Sequence, residues 1–255
     1  ALEKIDFVLH HAALGSVPRS ISDPFSSNEA NISGFLNMLI AARDSNIKNF
    51  IYASSSSAYG DHEALPKVED VIGKPKNPYS ITKYVNELYA NTFSEHYSFK
   101  SIGLRYFNVF GPRQRENGDY AAVIPKWIKN ILNNQDIEIY GDGETSRDFC
   151  YVDNAVQANI IAALSENEIA KGQVYNISVG NQTSLNKLLS MIHKNIENSI
   201  GEIIKIKPIY KDFRPGDIRH SRADISKAKN LLNYFPSHNV EQGIKETISW
   251  YIDKK

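Results

Sequence analysis

Short apolar runs that end in small or polar residues recur in the first part of this chain. The three runs, each with the residues that follow it, are Ile5–Leu9 with His10–Ala13, Phe50–Tyr52 with Ala53–Ser57, and Ser101–Leu104 with Arg105–Asn108. Apolar residues at helical spacing fill the two stretches between them, from Ile32 to Ile40 and from Tyr79 to Phe93. The order strand, helix, strand, helix, strand is typical of a parallel sheet with crossover helices, so we predict an α/β fold.

A different pattern follows Gly111-Pro112, where a loop rich in Arg, Asn and Gly separates the two parts of the sequence. Helical spacing or alternation of apolar residues then predicts further elements. The helices are Val123–Leu132, Leu185–Ile196, Lys227–Leu232 and Val240–Ile252, and the strands are Ile137–Tyr140 and Gln173–Ser178. No internal repeat or long linker interrupts this order, so one large or two small domains account for the chain.

Tyr79 and Lys83 lie four residues apart in the second predicted helix and therefore share one face. Ser55 stands 24 positions before Tyr79, at the end of a predicted strand, where parallel sheets bind ligands. A phenol has a pKa near ~10, and a neighbouring ammonium favours the phenolate. Together the three side chains are suited to remove a proton from an alcohol while hydride leaves the same carbon. A packed Tyr and a solvated Lys are the alternative for the pair alone.

The composition excludes several classes of function. Apolar residues make up 42% of the 255 positions, enough for a packed core, and 29 basic residues balance 29 acidic ones. This balance argues against a nucleic-acid or membrane-binding surface, and no apolar run approaches the ~20 residues of a spanning helix. The single cysteine, Cys150, cannot form an internal disulfide, so we expect a cytoplasmic protein in which it stays reduced.

Six groups of residues, in their order and spacing, resemble the extended short-chain dehydrogenase/reductases. They are His11–Ala13 with Gly15–Ser20, Ser54–Gly60, Asn77–Tyr79 with Lys83, Arg105–Gly111, Gly141–Val152, and Arg214–Asp217 with Arg219–Ser221. Within that family the sequence is similar to the nucleotide-sugar 4-epimerases that act on UDP-N-acetylhexosamines. The resemblance implies a Rossmann-like, doubly wound parallel sheet with a smaller C-terminal α/β substrate domain, and NAD as the cofactor.

One part of the family pattern is absent from this sequence. The family opens with a strand and the turn Gly-x-x-Gly-x-x-Gly, which seats the cofactor pyrophosphate at a helix N-terminus, and no such spacing of glycines occurs here. We therefore expect the N-terminal strands of the sheet to be missing and the chain to be the C-terminal part of a longer protein. By resemblance, residues 1–111 and 147–180 form the rest of the NAD-binding domain, and residues 112–146 and 181–255 bind the UDP-sugar.

The resemblance also assigns roles to the residues around the phenol. Tyr79 is the acid/base, Lys83 lowers its pKa and bonds the nicotinamide ribose, and Ser55 polarises the substrate alcohol or relays its proton. A lone His at a strand end is more often structural, so we give His11 little weight as a catalyst. The residues expected to contact NAD are His11, Ala12, Ala13, Leu14, Asn31, Tyr79, Lys83, Phe107 and Val109.

Arginines suit the two phosphates of a UDP-sugar because a guanidinium group bonds two oxygens at once. By resemblance, Arg147 and Arg214 clamp the diphosphate, Asp217 holds the uridine ribose, and Asn108 bonds a phosphate or the sugar. Surface ion pairing is the alternative for the charged side chains. The residues expected at the substrate are Gly15, Ser16, Ser55, Ser56, Ser57, Asn108, Ala122, Val123, Tyr140, Arg147, Arg214, Asp217 and Ser221.

Two positions narrow the reaction. The related 4,6-dehydratases carry an Asp-Glu pair directly after the catalytic hydroxyl, whereas this chain has Ser56-Ser57, so no acid is present there to protonate a leaving hydroxyl. In the family a bulky Tyr at the position of Ser221 restricts the pocket to plain hexoses, and a small residue leaves room for a 2-acetamido group. We therefore predict NAD-dependent C4 epimerisation of UDP-GlcNAc to UDP-GalNAc through a 4-keto sugar, without a metal ion.

Two alternatives to this reaction stay open. No residue that we can read distinguishes the predicted enzyme from a 4-epimerase of UDP-N-acetylglucosaminuronic acid (UDP-GlcNAcA). A non-catalytic UDP-sugar-binding fragment, or an NAD-sensing regulator, belongs to a different class, which the intact Tyr79, Lys83 and Ser55 disfavour. The helices near 28–44 and 79–97 carry apolar residues on more than one face. By resemblance they form a homodimer interface, although packing against the sheet also accounts for them.

Overall fold

The computed structural model describes residues 4–115, 122–214 and 217–253. The chain divides into two compact units. The first unit comprises Ala1–Phe107, Ala155–Ile177 and Ala223–Phe235, and the second comprises Asn108–Asn154, Ser178–Arg222 and Pro236–Lys255. These bounds differ from the predicted domains, because residues 147–154 belong to the second unit and residues 223–235 to the first. Which unit binds NAD and which binds the UDP-sugar stays a prediction.

The described residues form short strands and mostly longer helices. The strands are β1 Phe7–His10, β2 Asn49–Ser55, β3 Ser101–Tyr106, β4 Val109–Phe110, β5 Ile137–Tyr140, β6 Ser146–Arg147, β7 Cys150–Tyr151, β8 Val174–Ile177, β9 Thr183–Ser184 and β10 Pro208–Lys211. The α-helices are α1 Val17–Ser22, α2 Pro24–Asn28, α3 Gly34–Asp44, α4 Pro78–Tyr97, α5 Val123–Leu132, α6 Val152–Ala163, α7 Leu185–Ile200, α8 Ser226–Leu232 and α9 Val240–Asp253. A π-helical turn, Glu29–Ser33, precedes α3, and a 3-10 turn, Ser56–Tyr59, follows β2. None of the helices within these residues combines the length and apolarity needed to cross a membrane.

A four-stranded parallel sheet in the order β1-β2-β3-β8 forms the centre of the first unit. Phe7 lies opposite Asn49 at the start of the first pairing, and Gly103 lies opposite Val174 in the last. Gly103 is required by close packing, because a Cβ atom there would lie 2.5 Å from the Tyr52 hydroxyl oxygen. The predicted α/β fold with a parallel sheet is confirmed.

The hydrophobic core of the first unit lies where α3 and α4 pack against the sheet. Phe35 and Leu39 are four residues apart on one face of α3 and are fully buried. They pack with Phe50 and Tyr52 of β2 and with Phe93 of α4. Each such side chain contributes roughly 1.5–3 kcal/mol of burial free energy, which holds α4 against the strand that carries the serine run.

Local sequence determines where α4 begins and ends. The Asn77 side chain accepts a hydrogen bond from Ser80 N at 2.9 Å, and the Ser80 hydroxyl accepts one from Asn77 N at 3.1 Å, which completes a capping box. Pro78 suits the first helical position because it has no N–H to leave unbonded. The helix stops at Ser98, whose φ of 52° lies in the left-handed region. The capping box therefore fixes the start of the helix that carries Tyr79 and Lys83, two of the predicted catalytic residues.

The second unit packs α5, α7 and α9 around the parallel pair β5 and β10. Leu188, Ile192 and Ile196 follow one another at four-residue spacing on α7 and are buried. Trp127 of α5 and Ile244 of α9 belong to the same core. The predicted helix over Val123–Leu132 and the predicted strand over Ile137–Tyr140 have the bounds found in the structure.

Candidate active site

Ser55 and Tyr79 are brought together in the first unit. Ser55 ends β2, and its hydroxyl accepts hydrogen bonds from Ser57 N at 3.2 Å and from Ser57 Oγ at 2.9 Å. Tyr79 is the second residue of α4, and the Ser55 side chain acts on its phenol as a hydrogen-bonding group that lowers the pKa. Ser56 lies half-buried in the 3-10 turn. The separation of 24 residues therefore corresponds to one contact between a strand end and a helix start.

Lys83 is buried beside the same pair. It is 4% exposed, and its Nζ donates a hydrogen bond to Ala53 O, on β2, at 2.8 Å. The same Nζ lies 5.9 Å from the centroid of the Tyr79 ring. Among the described residues this is the one hydrogen bond of the ammonium group, so two of its N–H groups remain available to a ligand.

Burial moves the pKa values of both side chains towards their neutral forms. It raises the pKa of Tyr79 above the usual 10.0, and the hydrogen bond with Ser55 offsets part of that rise. It lowers the pKa of Lys83 to about 8, although the Glu87 carboxylate acts in the opposite direction. Burial dominates the pKa of Tyr79, so the role assigned to Lys83, which is to lower that pKa, stays a prediction. Tyr79 is therefore a neutral phenol at neutral pH.

An exposed loop after β1 is held in place by Asn31. Leu14 N donates to Asn31 Oδ1 at 2.7 Å, while Asn31 Nδ2 donates to Leu14 O at 3.3 Å and to Thr82 Oγ1 at 3.1 Å. Ala12 and Ala13 precede this clamp and are exposed. The buried Asn31 thus ties the loop to Thr82 of α4, the residue that precedes Lys83.

The other predicted loop residues have structural contacts as well. His11 Nε2 lies 2.9 Å from Asn159 Oδ1, a hydrogen bond that agrees with a structural role for this histidine. Gly15 is exposed, and Ser16 caps α1 by accepting a hydrogen bond from Arg19 N at 3.2 Å.

Phe107 and Val109, both expected at the cofactor, differ in their surroundings. Phe107 is fully buried, packs with Tyr59 and Ile225, and donates its N–H to Ile177 O at 3.2 Å. Val109 lies in β4, in the second unit, and is half-buried. The Phe107 side chain therefore belongs to the core, and a contact with a cofactor at this position would come from its backbone carbonyl.

A pocket of about 220 Å³ in the second unit collects most of the residues predicted to bind the substrate from that unit. The predicted residues that line it are Asn108, Val123, Tyr140, Arg147, Arg214 and Asp217, and the others are Lys126, Trp127, Glu138, Thr145, Phe149 and Leu185. Three cationic and two carboxylate side chains lie beside aromatic and apolar ones. Such a lining suits a ligand that combines a flat ring with negative charge.

Arg147 and Arg214 are held by different contacts. Arg147 Nη2 donates to Asp217 Oδ1 at 2.7 Å, and its Nη1 donates to Ser146 O at 3.0 Å. The Arg214 guanidinium lies 3.9 Å from the centroid of the Tyr140 ring, as in a cation–π contact. Burial lowers the pKa of Arg147, partly offset by Asp217, yet an arginine stays charged. The pocket therefore presents two positioned guanidinium groups. That of Arg147 is in an ion pair with Asp217, which is the alternative role that the sequence left open for the charged side chains.

Two other predicted substrate residues lie outside the pocket lining. Ala122 is the N-cap of α5 and offers no side-chain acceptor to the helix. Ser221 is half-buried, and its N–H donates to Ser146 O at 3.1 Å. Asn108 does line the pocket; its φ is 33°, and its Nδ2 donates to Asp148 O at 3.3 Å.

Comparison with known proteins gives the family. The profile of the family described as "NAD dependent epimerase/dehydratase family" matches residues 1–178. This chain belongs to that family. A putative UDP-glucose 4-epimerase of Methanocaldococcus jannaschii is 36% identical over 254 residues, which are 97% of this chain and 79% of that relative.

Solved structures of other epimerases have the same fold as this epimerase/dehydratase. The UDP-N-acetylglucosamine 4-epimerase of Methanobrevibacter ruminantium, in complex with UDP-N-acetylmuramic acid, matches with a TM-score of 0.91 and 42% identity over 100% of this chain and 79% of that one. The UDP-glucuronic acid 4-epimerase of Bacillus cereus, in complex with UDP-glucuronic acid and NAD, matches with a TM-score of 0.87 and 29% identity over 100% and 77%. The predicted family, the Rossmann-like fold, an enzymatic function and the NAD cofactor are confirmed.

The first unit of this epimerase/dehydratase fits the nicotinamide half of NAD. Buried ammonium groups are normally fully hydrogen-bonded, and the two N–H groups of Lys83 without a partner among the described residues would be satisfied by ribose hydroxyls. Ala12 and Ala13 add little bulk beside the loop that Asn31 holds. For the pyrophosphate, the glycine pattern of the family does not occur in this sequence.

The sequence reasoning missed several pocket residues. They are Lys126, Trp127, Thr145, Phe149 and Leu185. A signal existed for Lys126 and Trp127, which lie three and four residues after Val123 on the same helix face. Glu87 was missed in the first unit, although it follows Lys83 by four residues and acts on its pKa.

Proposed function

We propose that this protein is a UDP-sugar 4-epimerase whose substrate is a UDP-N-acetylhexosamine, interconverted between UDP-GlcNAc and UDP-GalNAc. The observation that carries the proposal is the grouping of three side chains: the Ser55 hydroxyl, which lowers the pKa of the Tyr79 phenol, and the buried Lys83 ammonium, whose Nζ lies 5.9 Å from the centroid of the Tyr79 ring. These groups can accept and return the proton of a substrate hydroxyl. The 4-epimerases matched above support C4 as the reacting carbon.

The residues of the first unit handle the proton. NAD, when bound, supplies the hydride acceptor and returns the hydride to the sugar. Ser55 Oγ orients the 4-hydroxyl towards the Tyr79 oxygen, and Tyr79 in its phenolate form accepts the proton. After the 4-keto sugar has turned its other face, the same phenol donates the proton back. Burial raises the pKa of Tyr79, and the Ser55 side chain offsets part of that rise. In this proposal the nearby Lys83 charge also favours the phenolate.

The pocket of the second unit holds the nucleotide in this proposal. Arg147 and Arg214 supply two guanidinium groups for the diphosphate, and Tyr140 supplies flat apolar surface for the uracil ring. The sugar must present both faces in turn, so binding energy placed on the nucleotide retains the intermediate without fixing the ring.

An acetylated sugar is supported by two observations. Ser221 is small, and the UDP-N-acetylglucosamine 4-epimerase matched above is 42% identical to this chain. A uronic acid substrate is the second candidate, favoured by the match at 29% identity to the UDP-glucuronic acid 4-epimerase.

We further propose that the protein acts in the cytoplasm as a homodimer through the helices near 28–44 and 79–97. Ile81 and Leu88 on α4 are seven residues apart on one face and expose 48% and 49% of their surface, which leaves apolar area for a second copy. Cys150 is buried and in no disulfide, which is compatible with a reducing compartment.

The first test is turnover with defined substrates. The protein with NAD is expected to convert UDP-GlcNAc into a mixture with UDP-GalNAc, which proton NMR resolves through the C4 hydrogen. UDP-GlcNAcA and UDP-glucose are assayed in parallel. We expect kcat/KM to be at least roughly tenfold higher for UDP-GlcNAc, a difference that one pocket contact can supply.

A substitution pair tests the acetamido argument. Ser221→Tyr is expected to lower kcat/KM for UDP-GlcNAc more than for UDP-glucose because the ring takes up the space for the acetamido group, while Ser221→Ala keeps the preference. Full activity of Ser221→Tyr on UDP-GlcNAc would contradict the argument. Preferred turnover of UDP-GlcNAcA would establish the second candidate, and no epimer from any of the three sugars would overturn the proposed function.

A further inference from the structure

A buried ion pair lies one helical turn beyond Lys83. The side chains of Arg105 and Glu87 are 4% and 6% exposed. Arg105 Nε donates to Glu87 Oε1 at 2.8 Å, and Arg105 Nη2 donates to Glu87 Oε2 at 2.6 Å. Ser54 Oγ donates a further hydrogen bond to the same carboxylate. Ser54, Glu87 and Arg105 are called the Glu87 cluster below.

Stability alone is a weak explanation for the Glu87 cluster. Two charges lose their solvation when they are buried, and well-packed apolar residues in their place are often neutral or stabilising. The pair is nevertheless fully ordered by two direct hydrogen bonds and by a third from Arg105 Nη1 to Glu69 O at 2.9 Å. These contacts fix the Glu87 carboxylate at one place in the first unit.

The Glu87 carboxylate lies on the same face of α4 as Lys83, the predicted catalytic lysine. Lys83 and Glu87 are four residues apart on α4 and share a face. Lys83 Nζ donates to Ala53 O at 2.8 Å, and Glu87 accepts from the next residue of β2, Ser54. Ser55 follows directly. Two successive residues of the strand are therefore fastened to α4 immediately before the strand reaches the catalytic hydroxyl.

We propose that Glu87 is a positioning residue of the active site, which holds the Lys83 ammonium charged and fixes the end of β2 that carries Ser55. It acts through these two residues and not by contact with the substrate. This inference rests on the proposed function and deepens it.

The groups that face Lys83 support this role. Among the described residues they are His10 on β1, Tyr79 and Glu87 on α4, and the carbonyl of Ala53 on β2. Burial, together with Lys83, lowers the pKa of His10 to about 4, so His10 is neutral near pH 7, and the phenol is neutral as well. Glu87 is thus the charged group that opposes the effect of burial on the pKa of Lys83, which is about 8.

The proposal is tested by the pH profile of kcat for UDP-GlcNAc epimerisation. Activity is expected to fall at alkaline pH as Lys83 loses its proton. In Glu87→Gln this alkaline limb is expected to move to lower pH by at least about one unit, because an opposite charge within reach has been removed. Glu87→Asp, which keeps the charge, is expected to restore most of the wild-type profile.

A matched control makes the same chemical change nearby. Glu69→Gln removes a carboxylate whose residue also bonds Arg105, through its backbone oxygen, but does not act on the pKa of Lys83. Its alkaline limb is expected to coincide with that of the wild type. If Glu87→Gln does not fold because Arg105 is left unpaired, the double variant Glu87→Met with Arg105→Met removes both charges and takes its place.

A second readout does not depend on turnover. Lysine labelled with ¹³C at Cε reports the pKa of Lys83 by NMR, and the signal is assigned by its absence in Lys83→Met. We expect the pKa of Lys83 to fall by at least about one unit in Glu87→Gln and to stay nearly unchanged in Glu87→Asp and Glu69→Gln. An unchanged pKa in Glu87→Gln, or an equal loss of kcat at every pH with a fixed limb, would overturn the positioning role. Absence of epimerase activity in the wild type, with the NMR shift present, would instead refute the proposed function alone.

Discussion

At the scale of single residues, the site depends on a lysine that is costly to keep charged. Lys83 is 4% exposed, and its ammonium group has one hydrogen bond among the described residues, to Ala53 O. Burial lowers its pKa from 10.5 to about 8. The folded protein therefore binds this proton less tightly than the unfolded chain does. This difference lowers the free energy of unfolding at neutral pH.

This cost predicts a pH dependence of stability. Below pH 8 the ammonium is charged in both states and the full penalty applies. Between pH 8 and 10.5 the unfolded chain holds more protons than the folded one, so stability rises with pH. Relative to Lys83→Met, the free energy of unfolding of the wild type is expected to gain about 3 kcal/mol from pH 7.5 to 10.5.

Urea unfolding at a series of pH values measures this gain. Lys48→Met is the matched control, because the Lys48 side chain is 69% exposed, and its stability difference from the wild type is expected to be nearly constant over the range. A constant difference for Lys83→Met as well would mean that the buried ammonium does not have the lowered pKa.

The two pocket arginines give a prediction about nucleotide affinity. Arg147→Met and Arg214→Met are each expected to weaken binding of UDP by about 10- to 100-fold, since each removes charge-assisted hydrogen bonds to phosphate. Isothermal titration calorimetry with UDP measures the change. Arg219→Met is the control, because the Arg219 side chain pairs with Asp142 at 2.6 Å and does not line the pocket. Equal affinities in all three variants would place the diphosphate elsewhere.

Sequence reasoning located individual residues well where a motif had fixed spacing. Ser55 and Tyr79 are 24 residues apart in sequence, and in the structure the Ser55 side chain acts on the Tyr79 phenol. The rise in the pKa of Tyr79 was not predicted, because it depends on how much solvent the packed fold removes, and spacing carries no information about that. Glu87 could have been found, since it follows Lys83 by one helical turn.

At the scale of elements, α4 is the platform of the site. It carries the phenol, the ammonium and the Glu87 carboxylate, and its first turn is fixed by the capping box of Asn77 and Ser80. Loss of this cap frays the turn that contains Tyr79.

Asn77→Ala is expected to lower the free energy of unfolding by about 1 kcal/mol, because the N–H of Ser80 loses its side-chain acceptor. Asn77→Asp keeps an acceptor oxygen in the same place and is expected to change stability by only a few tenths. Urea unfolding of the two variants distinguishes a cap from a residue that is merely exposed. Equal stability of the two variants would show that the cap contributes nothing.

Elements with a clear pattern of apolar residues were predicted, and elements without one were missed. α5 and β5 have the predicted bounds, and α7 extends four residues beyond the predicted end at Ile196. α6 was missed because its polar residues Asp153, Asn154, Gln157 and Asn159 interrupt the apolar pattern. The strand β10 was missed since its residues are largely exposed and it is defined by pairing with β5, a long-range contact.

At the scale of the whole molecule, the chemistry is divided between the units. The first unit contains the phenol, hydroxyl and ammonium groups, and the second contains the pocket with Arg147 and Arg214. Residues 223–235 belong to the first unit because Ala223 and Ile225 pack in one buried cluster with Tyr59 and Phe107. Such a return of the chain is set by tertiary packing, which explains why the predicted domain bounds differ.

The most direct test of the account is the turnover of Tyr79→Phe with UDP-GlcNAc, measured beside Tyr84→Phe. Both variants lose one phenol oxygen from α4, but the account gives a catalytic role to Tyr79 alone. We predict that Tyr79→Phe lowers kcat for the C4 epimerisation by at least about 100-fold while UDP binds as in the wild type, and that Tyr84→Phe stays within about twofold. Near-normal turnover of Tyr79→Phe would contradict the central claim.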